Sequence, residues 1–321
     1  MKNYPLVSII MLAYNSELYI KRGIISALNQ DYKNIELLII DSSPNKKTKE
    51  VADEIKDLRI KYHYIPNLEI GAARNAGIRF STGKYITFLD SDDKYLPEKV
   101  KKQVEYLQDN SKYKIAYCNA LHYYQNKPGV FYKKEICCKS GNVLYDLLET
   151  SLVNPNTIMF EKEVMKKVGL INESKYFPED WDLCLRMAVE GYEFGYLNED
   201  LVIVEMRENS NTTFDIQSKL KENAIIMFNS LKEKVDKEYG SAFNNIIFKT
   251  KRSLALAYLI NNNKIMFSKT IFEIYNKGIV IQVIVFMVCL IPKEILRNIV
   301  IFTWKMKRKK SFGQVVKNDQ R

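Results

Sequence analysis

GKYITFLDSDD, residues 83–93, decides the reading of this chain. Tyr85, Ile86, Phe88 and Leu89 are β-formers in a short apolar run, so residues 84–89 predict a buried strand. The run ends on Asp90, Asp92 and Asp93, with Ser91 between. In open α/β sheets, the carboxyl ends of buried strands are where ligands bind. Three carboxylates in four residues leave a dense negative charge, which a hard divalent cation carrying a diphosphate would neutralise. Oxygen ligands suit Mg2+ or Mn2+. The competing reading is a solvated acidic turn ahead of a helix starting near Pro97, since Asp favours turns and N-caps.

Upstream, residues 6–11 and 35–40 are continuous β-rich runs of the kind buried on both faces of a sheet. The first runs into Ala13-Tyr14-Asn15, with Ser16 as N-cap of a helix whose apolar face is Leu18, Ile20, Ile24, Ile25 and Leu28. The second ends on Asp41, and residues 47–55 read as a helix. Residues 60–65 give a third strand. Strand–helix repetition predicts an α/β fold with a mostly parallel sheet flanked by helices. Asn15, Asp41 and the acidic stretch then converge on one nucleotide-sized crevice.

The small residues of GAARNAG, 71–77, permit close packing, and Arg74 is suited to bidentate hydrogen bonding of a phosphate. A helix follows at 97–109 and a strand at 115–118. Residues 127–140 are polar and aromatic and could form a hairpin over the crevice. Asn154-Pro155-Asn156-Thr157 precedes a short strand at 158–160. A helix at 161–168 stops at Gly169. From Glu179 the pattern is again helical, with Asp180 near the start. That carboxylate can be an N-cap or a general base facing the crevice.

The 321 residues fit one large domain with an appendage, or two small ones. Five cysteines without CxxC spacing predict reduced thiols, and two histidines argue against a His-based triad. The turn after the first strand has no GxGxxG, which argues against a dehydrogenase. The first apolar run is too short for a signal peptide. Net charge is +11. From residue 293 onward, nine basic residues face two acidic ones, so +7 of the excess lies in a basic tail. No nucleic-acid recognition motif accompanies that tail.

The matching pieces VSIIMLAYN, IIDSSP, GAARNAGIRFSTGKYITFLDSDD, VGLINE and PEDWDLCLRMAVEGYEFGYL stand in order over residues 6–210. In this order they make the chain resemble the family 2 glycosyltransferases of the GT-A fold. The resemblance implies an inverting, metal-dependent transfer of sugar from a nucleotide-sugar, a UDP-sugar by expectation. Ala13, Tyr14, Asn15, Asp90 and Ser91 would line the donor nucleotide pocket, Asp41 would meet the base, and Arg74 the nucleotide or diphosphate. Asp90 and Asp92 match the DXD motif, with Asp92 as ligand to Mn2+ or Mg2+. Asp93 would position the donor sugar or metal-bound water. Asp180 matches the catalytic base, Glu179 its acceptor-binding neighbour, and Trp181 a stacking platform for a sugar ring. Leu12 stands where the family often has Pro, and Ser42 where it often has a second Asp. Asn209 follows Arg207 where a histidine is frequent. Sugar selection would come from distant segments such as Asn154, Asn156 and 127–140.

The expected domains are a catalytic domain at 1–215, a helical extension at 216–262 and an apolar, basic helical tail at 263–321. Residues 216–239 and 244–261 read as amphipathic helices suited to packing or to homo-oligomer contact. Residues 278–290 are apolar, but thirteen residues of helix reach only about 20 Å, short of a hydrocarbon core. With the apolar 295–306 and the basic cluster 305–310, they predict a helix lying on an anionic membrane surface. A spanning hairpin and a soluble packing helix are the alternatives. Peripheral attachment at the cytoplasmic face would suit a glycan or lipid-linked saccharide acceptor in bacterial surface-polysaccharide synthesis. A sugar-phosphate nucleotidyltransferase and an inactive membrane-attached scaffold are the competing functions.

Overall fold

In the computed structural model, the described residues are 4–127, 130–133, 138–206, 214–235, 237–275, 279–291, 295 and 314–317. The chain divides into two compact units. The first holds Met1–Lys175, Glu179–Glu208 and Gln314–Arg321; the second holds Tyr176–Pro178 and Asn209–Gly313.

The first unit opens as strand–helix repetition: β1 (Val7–Ala13), α1 (Ile20–Leu28), β2 (Ile35–Asp41), α2 (Lys47–Ala52), β3 (Ile60–Tyr64), α3 (Ile70–Phe80) and β4 (Tyr85–Asp90). These four strands pair in parallel in the order β4-β1-β2-β3. Every residue of β1 and β2 is buried, as expected of strands covered on both faces. The register places Ala13 beside Asp41, and Leu12 beside Asp90. The three strands therefore finish together at one edge. Gly77 lets α3 lie on that sheet, since a Cβ there would come within 2.3 Å of Ile10 Cγ2.

The remainder is mixed rather than mostly parallel. It comprises β5 (Lys94–Tyr95), α4 (Lys99–Asp109), β6 (Ile115–Tyr124), β7 (Val130–Lys133), α5 (Leu144–Glu149), a 3-10 turn (Pro155–Thr157), β8 (Met159–Glu161), α6 (Val164–Val168), α7 (Glu179–Val189) and β9 (Phe194–Met206). β8 lies between β4 and β6, antiparallel to both. β7 returns along β6 through a short connection, which only an antiparallel pair permits. β6 and β9 pair in parallel, with a break in register near Asn119. The expected helical tail also yields a strand, β10 (Gln314–Lys317), antiparallel to β7.

Helix α1 starts at Ile20, four residues after Ser16, and no side chain caps it. Its buried face is Ile20, Gly23, Ile24, Ala27 and Leu28; Leu18 and Ile25 are exposed. Ser16 is drawn instead into the loop above the sheet edge, as described below.

The second unit contains α8 (Phe214–Lys232), α9 (Lys237–Ile260), α10 (Lys264–Tyr275) and α11 (Ile279–Leu290). Its apolar core gathers Leu254, Ala255, Tyr258, Leu259, Phe267 and Val285. No helix among the described residues is long and apolar enough to cross a membrane. The basic cluster 305–310, Arg207 and Asn209 lie outside the described residues.

Candidate active site

A cavity of about 590 Å3 opens at the carboxyl edge of the sheet. Ala13, Tyr14 and Asn15 line it from the end of β1, Ser42 from the end of β2, and Asp90, Ser91 and Asp92 from the end of β4. Asn67, Glu69 and Ile70 enter from the start of α3, and Lys175 from the loop before α7. Asn15 and Asn67 both hold positive φ, 47° and 63°, a region that asparagine tolerates better than most residues.

Hydrogen bonds join the strand-end loops. The Asn15 amide donates to Ser43 Oγ at 2.8 Å, and the Ser16 amide to Thr48 Oγ1 at 3.0 Å. Ser91 Oγ donates to Ser16 Oγ at 2.7 Å. This network explains why Ser16 caps no helix. Asp41 sits beneath it rather than in the cavity wall and is wholly buried. Its Oδ1 accepts from the Ser43 amide and hydroxyl, and its Oδ2 accepts from the Tyr62 hydroxyl at 2.6 Å. Burial, and then this carboxylate, raise the Tyr62 phenol well above its ordinary pKa.

Arg74 is likewise not in the cavity wall. It is 2% exposed and stands 5.0 Å over the Phe88 ring. Its guanidinium lies 3.6 Å from Asp90 Oδ1 and 3.6 Å from Glu179 Oε1. One buried cation thus brings the acidic loop and the start of α7 together. Buried arginine needs such partners, because an isolated charge out of water is costly. Burial raises the Glu179 carboxyl to about 7; Arg74 opposes that shift and Asp180 adds to it.

The four residues of the acidic loop differ in surroundings. Asp90 is partly exposed, and Asp92 lines the cavity while its carbonyl accepts from Arg22 Nη2 at 3.1 Å. Asp93 points away from the cavity and is buried. Its Oδ1 accepts from the Glu205 amide at 2.8 Å, and its Oδ2 from the Asn156 side-chain amide. Burial, followed by the charges of Asp90 and Asp92, pushes its carboxyl well above the usual range. The residue expected to position donor sugar or metal-bound water is thus buried and hydrogen-bonded to Glu205 and Asn156.

α7 begins at Glu179, so Asp180 is its second residue and not its N-cap. Asp180 Oδ1 accepts from the Trp181 amide at 2.8 Å. Its side chain lines a second cavity of about 180 Å3, with Asn119, His122, Lys133, Ser151 and Asn154 among the walls. The Trp181 indole N–H donates to the Leu147 carbonyl of α5 at 2.6 Å, which fixes the ring while leaving it partly exposed.

Among the described residues, no group of three or more His, Cys, Asp and Glu side chains could by itself hold a metal ion. Asp90 and Asp92 nevertheless both line one open cavity. Two oxygen donors completed by phosphate and water are the usual arrangement for Mg2+ or Mn2+ at a nucleotide, so the residues fit such an ion. Sequence reasoning missed Asn67, Lys175 and the Arg22–Glu205 ion pair. It noticed Asn156, but as a sugar contact.

The sequence profile described as glycosyl transferase family 2 matches residues 8–169. An uncharacterised glycosyltransferase of Rickettsia typhi is 32% identical over 243 residues, which cover 73% of this chain and 74% of that protein. A putative teichuronic acid biosynthesis glycosyltransferase, TuaG of Bacillus subtilis, is 25% identical over 64% of this chain and 81% of its own length. Among solved structures, S. aureus TarS residues 1–349 in complex with UDP-GlcNAc has the same fold. Its TM-score is 0.55 at 17% identity, over 82% of this chain and 88% of that one.

Proposed function

The chain belongs to glycosyl transferase family 2, and from that premise we propose an inverting transfer of sugar from a nucleotide-sugar to an acceptor hydroxyl. A UDP-sugar is the first donor to test, since the TarS structure of like fold is described with UDP-GlcNAc. The observation that carries the proposal is the Arg74 bridge, 3.6 Å from Asp90 and 3.6 Å from Glu179. It supports a site in which the acidic loop at a nucleotide-sized cavity stands beside the helix bearing Asp180.

In this reading the donor nucleotide lies against Ala13, Tyr14, Asn15 and Ser42, and its diphosphate approaches Asp90 and Asp92. Mg2+ or Mn2+, held by Asp92 with Asp90, would supply charge stabilisation for the departing diphosphate. Asp180 takes the proton from the acceptor hydroxyl as that oxygen attacks the anomeric carbon. One carbon–oxygen bond forms, the bond to the diphosphate breaks, and the electron pair leaves with the diphosphate. A single displacement inverts the anomeric configuration. Trp181, fixed through its indole N–H, offers a ring face to the acceptor sugar.

The acceptor we propose is a glycan or lipid-linked saccharide of bacterial surface-polysaccharide synthesis; the likeness to TuaG supports it. The C-terminal tail would hold the protein at an anionic leaflet. Apolar α11 leaves Ile284 and Met287 exposed, and the basic cluster 305–310 follows it in sequence. Nucleoside diphosphate release from a panel of UDP-, GDP- and dTDP-sugars, with and without lipid-linked acceptor, tests the reaction. Metal-dependent release from one donor is expected. Pyrophosphate release from a nucleoside triphosphate would instead identify a nucleotidyltransferase.

A further inference from the structure

The acidic loop is held by a side chain from the turn Pro155–Thr157. Asn156 is 1% exposed, and its amide faces two of the loop's carboxylates. Its Oδ1 accepts from the Asp90 amide at 2.7 Å. Its Nδ2 donates to Asp90 Oδ2 at 3.3 Å and to Asp93 Oδ2. An amide is the one neutral side-chain group that can accept from the backbone and donate to both acids together. Its own backbone is fixed in turn, because its N–H donates to Asn154 Oδ1 at 2.9 Å within the turn Pro155–Thr157.

We infer that Asn156 is a positioning residue, which sets the Asp90 and Asp93 carboxylates so that the loop presents Asp92 to the metal and the donor diphosphate. The inference rests on the proposed donor reading. Three points carry it. Asp90, Asp92 and Asp93 repel one another, and Asn156 is the neutral donor placed against two of them. Its contacts fix both ends of the loop, while Arg22 holds the Asp92 carbonyl in the middle. Asn154 and Thr157, on either side of it, line the cavity that contains Asp180. The turn that orients the donor loop is therefore also a wall of the base's cavity.

The test uses the full chain in three variants: Asn156→Leu, Asn156→Ala and Asn154→Ala. Leu keeps the branching of Asn without its amide, and Ala removes both. Asn154→Ala removes the acceptor that fixes the Asn156 backbone and leaves the Asn156 amide in place. Mn2+ uptake is followed by electron paramagnetic resonance in the presence of whichever of UDP, GDP and dTDP the wild type binds. Binding of the matching nucleoside alone reports an intact pocket. The expected result is nucleoside affinity within about twofold of wild type, with half-saturating Mn2+ raised about tenfold or more in both Asn156 variants. Asn154→Ala should raise it about threefold. Unchanged Mn2+ uptake in an Asn156 variant that still binds nucleoside would overturn the inference. If neither Asn156 variant binds nucleoside, Asn154→Ala decides, and unchanged Mn2+ uptake there overturns it. A wild type that takes up no Mn2+ with any diphosphate would refute the metal-assisted donor reading itself, and the inference with it.

Discussion

Asp180 and Lys99 make opposite uses of a single titratable side chain. Asp180 sits at the start of α7 with one oxygen on the Trp181 amide, and it lines a cavity, a placement that fits the base we propose. Asp180→Asn should lower turnover by about 10^3-fold and leave donor binding within about twofold, as read by initial rates and calorimetry. Lys99 is wholly buried, with its ammonium group against Thr87 Oγ1 and 4.0 Å from the Tyr95 ring centre. Burial lowers its pKa to about 7. Because the folded value lies below the unfolded one, its contribution to stability is present above the unfolded pKa and is lost as pH falls towards 7. Lys99→Met should therefore raise the melting temperature at pH 7 by a few degrees, about 1 kcal/mol, with a smaller gain at pH 10. A lower melting temperature at pH 7 would show that the charge is better compensated than its surroundings indicate.

Among elements, the parallel half of the sheet was the most legible. Runs such as VSIIMLA and IELLIID permit little besides strands covered on both faces, and they lie where expected. The antiparallel insertion of β8 was not legible, because three residues carry no pairing partner in their own sequence. Ser16 was misread because the serine that favours an N-cap also favours a buried loop network. Asp41 and Arg74 were expected at the cavity from their type and place, but both are buried and neither lines it, and burial is set by distant packing. Asn156 was read only as a sugar contact, since the partners that hold it lie more than sixty residues away.

The opposite end of the sheet yields an elemental prediction. Glu36 of β2 accepts from Ser8, Thr82 and Gly83 and pairs with Lys61 at 2.6 Å, which ties β1, β2 and the turn before β4. Burial alone would raise its pKa, but hydrogen bonds from Lys61, Ser8 and Thr82 outweigh it and bring the group down to about 2. The stabilisation is thus present above the unfolded value of a glutamate and is lost as pH falls towards 2. Glu36→Gln should cost about 2 kcal/mol at pH 7 by urea denaturation, and progressively less below pH 4.

At the scale of the whole molecule, excess positive charge and the apolar helix α11 both fall late in the chain. The motifs that carry the family resemblance end before residue 210, whereas α11 and the basic run 305–310 follow them. Sedimentation with vesicles should find the protein on anionic lipid and not on zwitterionic lipid. Replacing the five basic residues of 305–310 with Gln should weaken that binding by about tenfold or more, given about 1 kcal/mol for each basic residue near the surface. Equal binding to both kinds of vesicle would mean that the tail charge has another use.

The central claim is that a nucleotide-sugar in the sheet-edge cavity gives its sugar to an acceptor deprotonated by Asp180, which lines the second cavity. Its most direct test is release of nucleoside diphosphate from a UDP-, GDP- or dTDP-sugar by the purified full chain, with Mn2+ and a lipid-linked acceptor. The account predicts release from one donor, accompanied by a product of inverted anomeric configuration and abolished by Asp180→Asn and by Asp92→Asn. Release that survives both substitutions, or none from any donor and acceptor while nucleotide still binds, would contradict it.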